Sequence, residues 1–317
     1  MGLIDEMLAG NPRALAQLIT LVENDEQARQ KILARIYPFT GQAQLIGFTG
    51  SPGIGKSTLV DAVADEYLRR GKKVGIIAVD PSSPFTQGAV LGDRIRMQSR
   101  PMDERLFIRS LASRGKLGGL SKATNDVVKL MDAYGKDVIL IETVGTGQSE
   151  VDIVQMAHTT VVVLSPGYGD GIQAMKAGIL EIGDVFVVNK ADLEGAEKTI
   201  AEIKGMVENN FAGKAWSPPV VPAVAKDKAG IVQVVDQLVS HWQYLSESNQ
   251  LERKEKQRLE KELDEHLISW IQVQLLDYLR ETGQKEQLID QLYLKQKDPV
   301  SLMDELIAGV MSRIDRL

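Results

Sequence analysis

Residues 50–58 read Gly50-Ser51-Pro52-Gly53-Ile54-Gly55-Lys56-Ser57-Thr58, and Gly50 to Ser57 carries the phosphate-loop spacing G-x-x-x-x-G-K-[ST]. Upstream, Gln44-Leu45-Ile46-Gly47-Phe48-Thr49 has the apolar density of a short buried strand. Downstream, Leu59, Val60, Ala62, Val63, Tyr67 and Leu68 recur at helical spacing. Strand, glycine loop and helix are the context in which this motif holds phosphate. The glycines let backbone N–H groups turn toward phosphate oxygens, and a helix starting near Lys56 adds the positive end of its dipole. Lys56 is expected to reach the β- and γ-phosphates and Ser57 to place its hydroxyl on Mg²⁺. The nine residues through Thr58 form the predicted nucleotide cradle.

Further along, Asn189-Lys190-Ala191-Asp192 follows Val185-Phe186-Val187-Val188, a second buried-strand pattern. At such a strand's carboxyl end, the Asp192 carboxylate can accept from the N1–H and exocyclic amine of guanine. Adenine offers no such donor pair. A charged hydrogen bond contributes about 1.5–3 kcal/mol, so this one residue would select GTP over ATP by roughly one to two orders of magnitude. Asn189 either binds N7 or braces the phosphate loop, and the Lys190 stem covers the base face. On its own the tetrapeptide could equally be a strand-to-helix turn with Asp192 as the helix N-cap.

Composition narrows the class. The chain has 317 residues, 44% hydrophobic and 25% charged, with a net charge of −6 and no cysteine. No basic block marks a nucleic-acid footprint, and no apolar run approaches the roughly 18 residues that a membrane span requires. The acidic start, Met1-Gly2-Leu3-Ile4-Asp5-Glu6-Met7, lacks signal or transit character. A cysteine-free chain fits the cytoplasm and excludes disulfides, thiolate metal sites and cysteine nucleophiles. Its histidines, His158, His241 and His266, are too scattered for a metal store.

Along the chain three segments are expected: an N-terminal helical segment (1–43), a P-loop GTPase domain (44–240) and a helical C-terminal arm (241–317). In the first, Asn11-Pro12 caps a helix with Leu15, Leu18, Ile19 and Val22 inward, Asn24 or Asp25 caps a second, and Pro38 ends it. Strands are predicted at 44–49, 73–79, 105–109, 137–141, 160–164, 184–188 and 219–223, alternating with helices. That is an α/β fold with a mostly parallel sheet covered on both faces, whose ligands bind at the carboxyl ends of the strands. In the arm, Leu259, Leu263, Leu267, Trp270, Ile271, Leu275 and Leu279 line one helix face, and Asp298-Pro299 starts a last helix. This stripe either packs on the α/β domain or serves dimerisation or partner docking.

Several loops are placed to sense a γ-phosphate. Asp80 closes the strand Val74–Val79 and Asp93 follows Gly92; a carboxylate at either can hold a Mg²⁺-bound water or orient the attacking one. Asp80 can alternatively form an Asx-turn before Pro81, and Asp93 a plain N-cap. Glu142 ends the strand Asp137–Ile141 as a Walker B acid would. Gly145 can give a backbone N–H to the γ-phosphate, making its loop a switch, and Gln148 is a candidate for positioning water.

Taken together, Asp80-Pro81-Ser82-Ser83, Leu91-Gly92-Asp93-Arg94, Leu117-Gly118-Gly119, Glu142-Thr143-Val144-Gly145-x-Gly147-Gln148-Ser149-Glu150 and the run from Ser165 to Gly178 resemble the MeaB/ArgK-type P-loop GTPases. The N-terminal Arg13-Ala14-Leu15-Ala16 does so too, and the likeness covers about residues 10 to 230. The resemblance implies a homodimeric G-protein chaperone of an adenosylcobalamin-dependent acyl-CoA mutase, chiefly methylmalonyl-CoA mutase. Its GTP/GDP cycle would gate cofactor loading and protect the mutase. By the same resemblance Asp80, Asp93 and Glu142 serve Mg²⁺ and hydrolysis. Ser165 to Lys176 is an extra switch at the partner interface, with Lys176 a candidate for activation. Ala223-Val224-Ala225-Lys226 departs from the Ser-Ala that many GTPases carry in the loop whose backbone contacts guanine O6. A kinase tied to amino-acid transport would need an acceptor pocket with a base, and a nickel-insertion GTPase His-rich or Cys/His elements; neither stands out. A scaffold that binds nucleotide without hydrolysis is the remaining alternative.

Overall fold

The computed structural model describes residues 2–80, 103–112, 119–143, 156–167 and 180–314. Three helices lead: α1 (Leu3–Leu8), α2 (Pro12–Asn24) and α3 (Glu26–Ile36). Each start has a local cause. Asn11 accepts from the N–H groups of Arg13 and Ala14 with Pro12 at the first helical position, and Asp25 accepts from Ala28 N–H at 2.9 Å. A 3₁₀ turn, Tyr37–Phe39, follows at Pro38.

The strands are β1 (Gln44–Thr49), β2 (Val74–Asp80), β3 (Leu106–Ala112), β4 (Val138–Thr143), β5 (Thr159–Leu164), β6 (Val185–Val188) and β7 (Val220–Pro222). Every pairing is parallel, and the order is β3-β2-β4-β1-β5-β6-β7. Helix α4 (Lys56–Arg69) connects β1 to β2, α5 (Gly119–Ala133) precedes β4, α6 (Ala196–Phe211) precedes β7, and α7 (Ile231–Glu247) follows it. All seven predicted strands are present, and the expected parallel α/β architecture is the observed one.

Alternation along the strands divides the core. Ile46, Phe48, Val138 and Leu140 pack with α4 and with Val234, Val235 and Leu238 of α7. Their neighbours Leu45, Ile139 and Ile141 pack on the other face with Leu15, Leu18 and Ile19 of α2, Ile36 of α3, and Val127 and Met131 of α5. Side chains two apart share a face, so a strand covered on both sides reads as continuously apolar; β1, β4, β5 and β6 are buried at every position. The N-terminal helices therefore complete the sheet's second layer.

The chain divides into two compact units, Met1–Leu251 and Glu252–Leu317. Helix α7 belongs to the first because its inward face, from Ile231 to Leu245, is buried. The second is helical: most of α8 (Gln250–Thr282), with α9 (Gln284–Tyr293) and α10 (Pro299–Ile314). Asp298 starts α10 by accepting from the N–H groups of Val300 and Ser301. On α10, Leu302 and Leu306 are buried, whereas Met303 and Ile307 are exposed.

Candidate nucleotide-binding site

Strand order makes the site. β1 lies between β4 and β5, and the connections after β1 and β4 run to opposite sides, which opens a crevice at the carboxyl ends of these strands. The loop from Gly50 emerges there. Gly50 has φ +139°, and an added Cβ would stand 2.3 Å from the carbonyl oxygen of Val163, so only glycine lets the loop pass this close to β5. Gly55, with φ +90°, directly precedes α4; a Cβ there would stand 2.5 Å from Nδ2 of Asn189. Ile54 is fully buried beneath the loop and anchors it to the core.

Lys56 is buried, and its ammonium donates to the carbonyls of Gly50 at 2.5 Å and Ser51 at 2.9 Å. The charge is thus held inside the curl of the loop. Ser57, in the first turn of α4, donates its hydroxyl to the carboxylate of Glu142. The register that pairs Phe48 with Glu142 brings these oxygens together although they lie far apart in sequence. Both are hard oxygen donors of the kind Mg²⁺ prefers. Thr143 steadies this edge by donating to the carbonyl of Phe48 at 3.3 Å.

Asn189 and Lys190 both tie the turn at residues 189–192 to the phosphate loop. Asn189 is buried; its Nδ2 donates to the carbonyls of Ile54 at 2.9 Å and Gly55 at 3.4 Å, and its Oδ1 accepts from Ala225 N–H at 3.1 Å. Of the two roles the sequence left open, bracing is the one this geometry displays. Lys190 has φ +55° and donates to the carbonyl of Gly53 at 3.0 Å, which lays its stem along the loop's rim. Asp192 is exposed in a turn, and α6 begins only after Gly195; it is therefore no N-cap. Ala191 N–H donates to the carbonyl of Ala223 at 3.0 Å, which joins this turn to the loop after β7. Gly230 closes that loop with φ +77°, where a Cβ would meet the Pro222 carbonyl at 2.3 Å.

The structure thus brings together Gly50 to Thr58, Glu142, Asn189 to Asp192 and Ala223 to Ala225. Asp80 ends β2 at the same sheet edge. Asp93, Gly145, Gln148 and Lys176 lie outside the described residues. Sequence reasoning missed the hydrogen bond from Ala225 to Asn189 and that from Lys190 to Gly53, since the partners are brought together only by the fold. Of the histidines, His158 accepts from Leu45 N–H at 3.0 Å, and His241 lies 2.9 Å from the Thr159 hydroxyl and 3.4 Å from Asp184. Both brace the amino-terminal ends of strands, away from this edge.

Comparison with known proteins gives one direction. The sequence profile of the family described as "Methylmalonyl Co-A mutase-associated GTPase MeaB" matches residues 15–279. A Pyrococcus abyssi relative that carries a GTPase name is 47% identical over 98% of each chain. The "Methylmalonic aciduria type A homolog, mitochondrial" of Caenorhabditis elegans is 34% identical over 84% of this chain and 71% of its own. Among solved structures, a LAO/AO transport system kinase superposes with a TM-score of 0.71 at 26% identity, covering 98% of this chain and 96% of that one.

Proposed function

The chain belongs to the MeaB family of P-loop GTPases, and we propose that it is the GTP-driven chaperone of an adenosylcobalamin-dependent acyl-CoA mutase. The observation that carries this reading is the Asn189 bridge. It makes the phosphate loop and the base loop one unit, so that what happens at the γ-phosphate is coupled to how firmly guanine is held. The family's description, and the methylmalonic aciduria name of the nematode relative, support a methylmalonyl-CoA mutase as the client.

In this reading Lys56 exchanges the carbonyls of Gly50 and Ser51 for phosphate oxygens, while loop amides from Gly53 to Thr58 cradle the β-phosphate. Ser57 and Glu142 would hold Mg²⁺, and Asp80 and Asp93 would serve the ion or orient the attacking water. The ion would supply charge neutralisation at the β- and γ-phosphate oxygens. Asp192 accepts from guanine N1–H and the exocyclic amine, Lys190 lines the base, and Ala223 to Ala225 frame it. Gly145 reports the γ-phosphate, and Lys176 completes the site in the complex. The segments 1–43, 44–240 and 241–317 act as support, GTPase and docking arm.

The protein works as a cytoplasmic homodimer. Leu259, Leu263, Leu267 and Ile271 of α8 form a stripe at four-residue spacing, each at least 40% exposed. A repeat of this kind on one helix suits an isologous contact with a second copy.

GTP hydrolysis by the pure protein, measured with and without an adenosylcobalamin-dependent acyl-CoA mutase from the same cell, tests the proposal. A slow basal rate that rises at least tenfold with mutase is expected, because none of the residues assigned to hydrolysis is an arginine and the partner would supply activation. An unchanged rate with no co-elution on a sizing column would overturn the chaperone role. Transfer of the γ-phosphate to added arginine or ornithine would replace it with a kinase.

A further inference from the structure

The 3₁₀ turn Tyr37–Phe39 is pinned at both ends while its side chains stand in solvent. Ile36 before it is fully buried, and Ala43 after it is buried too. Between them the Tyr37 carbonyl accepts twice from Thr40, from its N–H at 3.2 Å and its hydroxyl at 2.8 Å. The carboxylate of Asp132, near the end of α5, accepts from three successive amides: Gly41 at 2.5 Å, Gln42 at 3.2 Å and Ala43 at 2.9 Å. Yet Tyr37 and Phe39 are 53% and 51% exposed, with Pro38 exposed between them. Aromatic side chains on a pinned loop lose little freedom on being covered, which is what a binding anchor requires. The surroundings supply a sign. The outward face of α3 ahead of the turn carries Gln27, Gln30, Lys31, Ala34 and Arg35, all exposed and none acidic. Lys31, Arg35 and Phe39 follow one another at four-residue spacing, so the two cations lie along the side of the helix that Phe39 continues. Arg35 is held by Asp5, whereas Lys31 has no ion partner among the described residues. The turn leads into the amino-terminal end of β1, and the six residues of that strand put the phosphate loop about 20 Å away, at the opposite rim of the sheet.

We propose that Tyr37, Pro38 and Phe39 form a nucleotide-independent anchor for the client mutase, seating in an apolar depression rimmed by carboxylates on that protein. The proposal rests on the chaperone reading above and gives it a contact surface. A contact at this rim is remote from the γ-phosphate and holds the client through both halves of the GTP cycle. Contacts at the nucleotide rim are then free to change with the cycle without the complex falling apart. The client's rim is acidic because the α3 face offers cations and no carboxylate, and like charges brought together there would repel. A second copy of this chain is the poorer match, since the apolar stripe of α8 supplies that contact in the dimer proposed above.

The test measures binding of the full chain to an adenosylcobalamin-dependent acyl-CoA mutase from the same cell, with GDP and with a non-hydrolysable GTP analogue. Y37A/F39A should weaken binding roughly 10- to 100-fold with either nucleotide, while GDP affinity and thermal midpoint stay at their wild-type values. K31E should slow association at low salt, and its difference from wild type should close as salt rises. A photo-cross-link gives a second readout that keeps an aromatic ring in place. With Phe39→benzoylphenylalanine, light should join the chain to the mutase in both nucleotide states. Unchanged mutase affinity in Y37A/F39A, or a loss confined to one nucleotide state, would overturn the proposal and leave the chaperone reading intact. A changed oligomeric state of Y37A/F39A would assign the face to a second copy and overturn it as well. Failure of the wild-type protein to bind mutase with either nucleotide would bring down both readings.

Discussion

At the scale of single residues, the site is a set of polar groups that already have partners. Lys56 holds two loop carbonyls, Ser57 holds Glu142, and Lys190 holds Gly53. Groups held in place lose less conformational freedom when a ligand takes over one of those contacts. Asp192 differs: it is exposed in its turn, so its proposed contribution to base choice can be tested apart from the fold. Asp192→Asn is expected to keep the thermal midpoint of the wild type while GTP-over-ATP preference falls by roughly 10- to 150-fold, the worth of a charged hydrogen bond. Competition titrations with both nucleotides measure it, and an unchanged ratio would remove Asp192 from the base site.

At the scale of elements, charged contacts join helices that apolar packing alone would leave free to slide. Arg29 of α3 makes a two-pronged bond to Asp126 of α5, Nε to Oδ2 at 2.5 Å and Nη2 to Oδ1 at 3.0 Å, both side chains being buried. Asp126→Ala leaves a buried guanidinium without its main partner and should cost about 3–5 kcal/mol by urea unfolding. The double variant Arg29→Met/Asp126→Leu should recover most of the loss. A recovery that fails would show that the pair also sets the geometry of α5. On α4, Glu66 accepts from Arg69 and Arg70, and Arg70 reaches Asp236 of α7. The hydrogen bond from Arg69, ahead of that from Arg70, outweighs burial and holds Glu66 down to about 2 from its ordinary 4.5. The folded pKa lies below the unfolded one, so the stabilisation is complete above about 4.5 and drains away as pH falls toward about 2. Glu66→Gln should flatten stability against pH in that window and nowhere above it. Urea midpoints between pH 2 and pH 5 would show this, and parallel curves for the two proteins would refute it.

For the whole molecule, the two compact units differ in how they treat apolar surface. Residues Met1–Leu251 enclose continuous cores on both faces of the sheet. In Glu252–Leu317 many large apolar side chains, among them Leu263, Leu267, Ile268, Trp270 and Ile271, stand about half exposed. Exposed apolar side chains of this kind are what the proposed dimer contact would cover. Leu263→Glu/Leu267→Glu/Ile271→Glu is expected to convert the proposed dimer to a monomer in sedimentation equilibrium while intrinsic GTP hydrolysis stays within twofold. A wild-type protein that sediments as a monomer at micromolar concentration would dispose of the dimer, and the stripe would then belong to the mutase contact.

Local chemistry by itself determined much of this protein. Periodicity located each strand, with β1 at Gln44–Thr49 as expected. Capping set the starts of α2, α3 and α10 through Asn11, Asp25 and Asp298, and the glycine-lysine spacing of residues 50–57 located the phosphate loop. These signals are carried by neighbours a few residues apart, where backbone geometry is decided. Tertiary structure alone decided the strand order, the meeting of Ser57 with Glu142 and the bracing role of Asn189. It also decided that Leu302 and Leu306 are covered while Met303 and Ile307 are not. Each of these depends on which distant segment arrives beside which, and an apolar stripe or a lone carboxamide specifies that it will be satisfied without specifying by what.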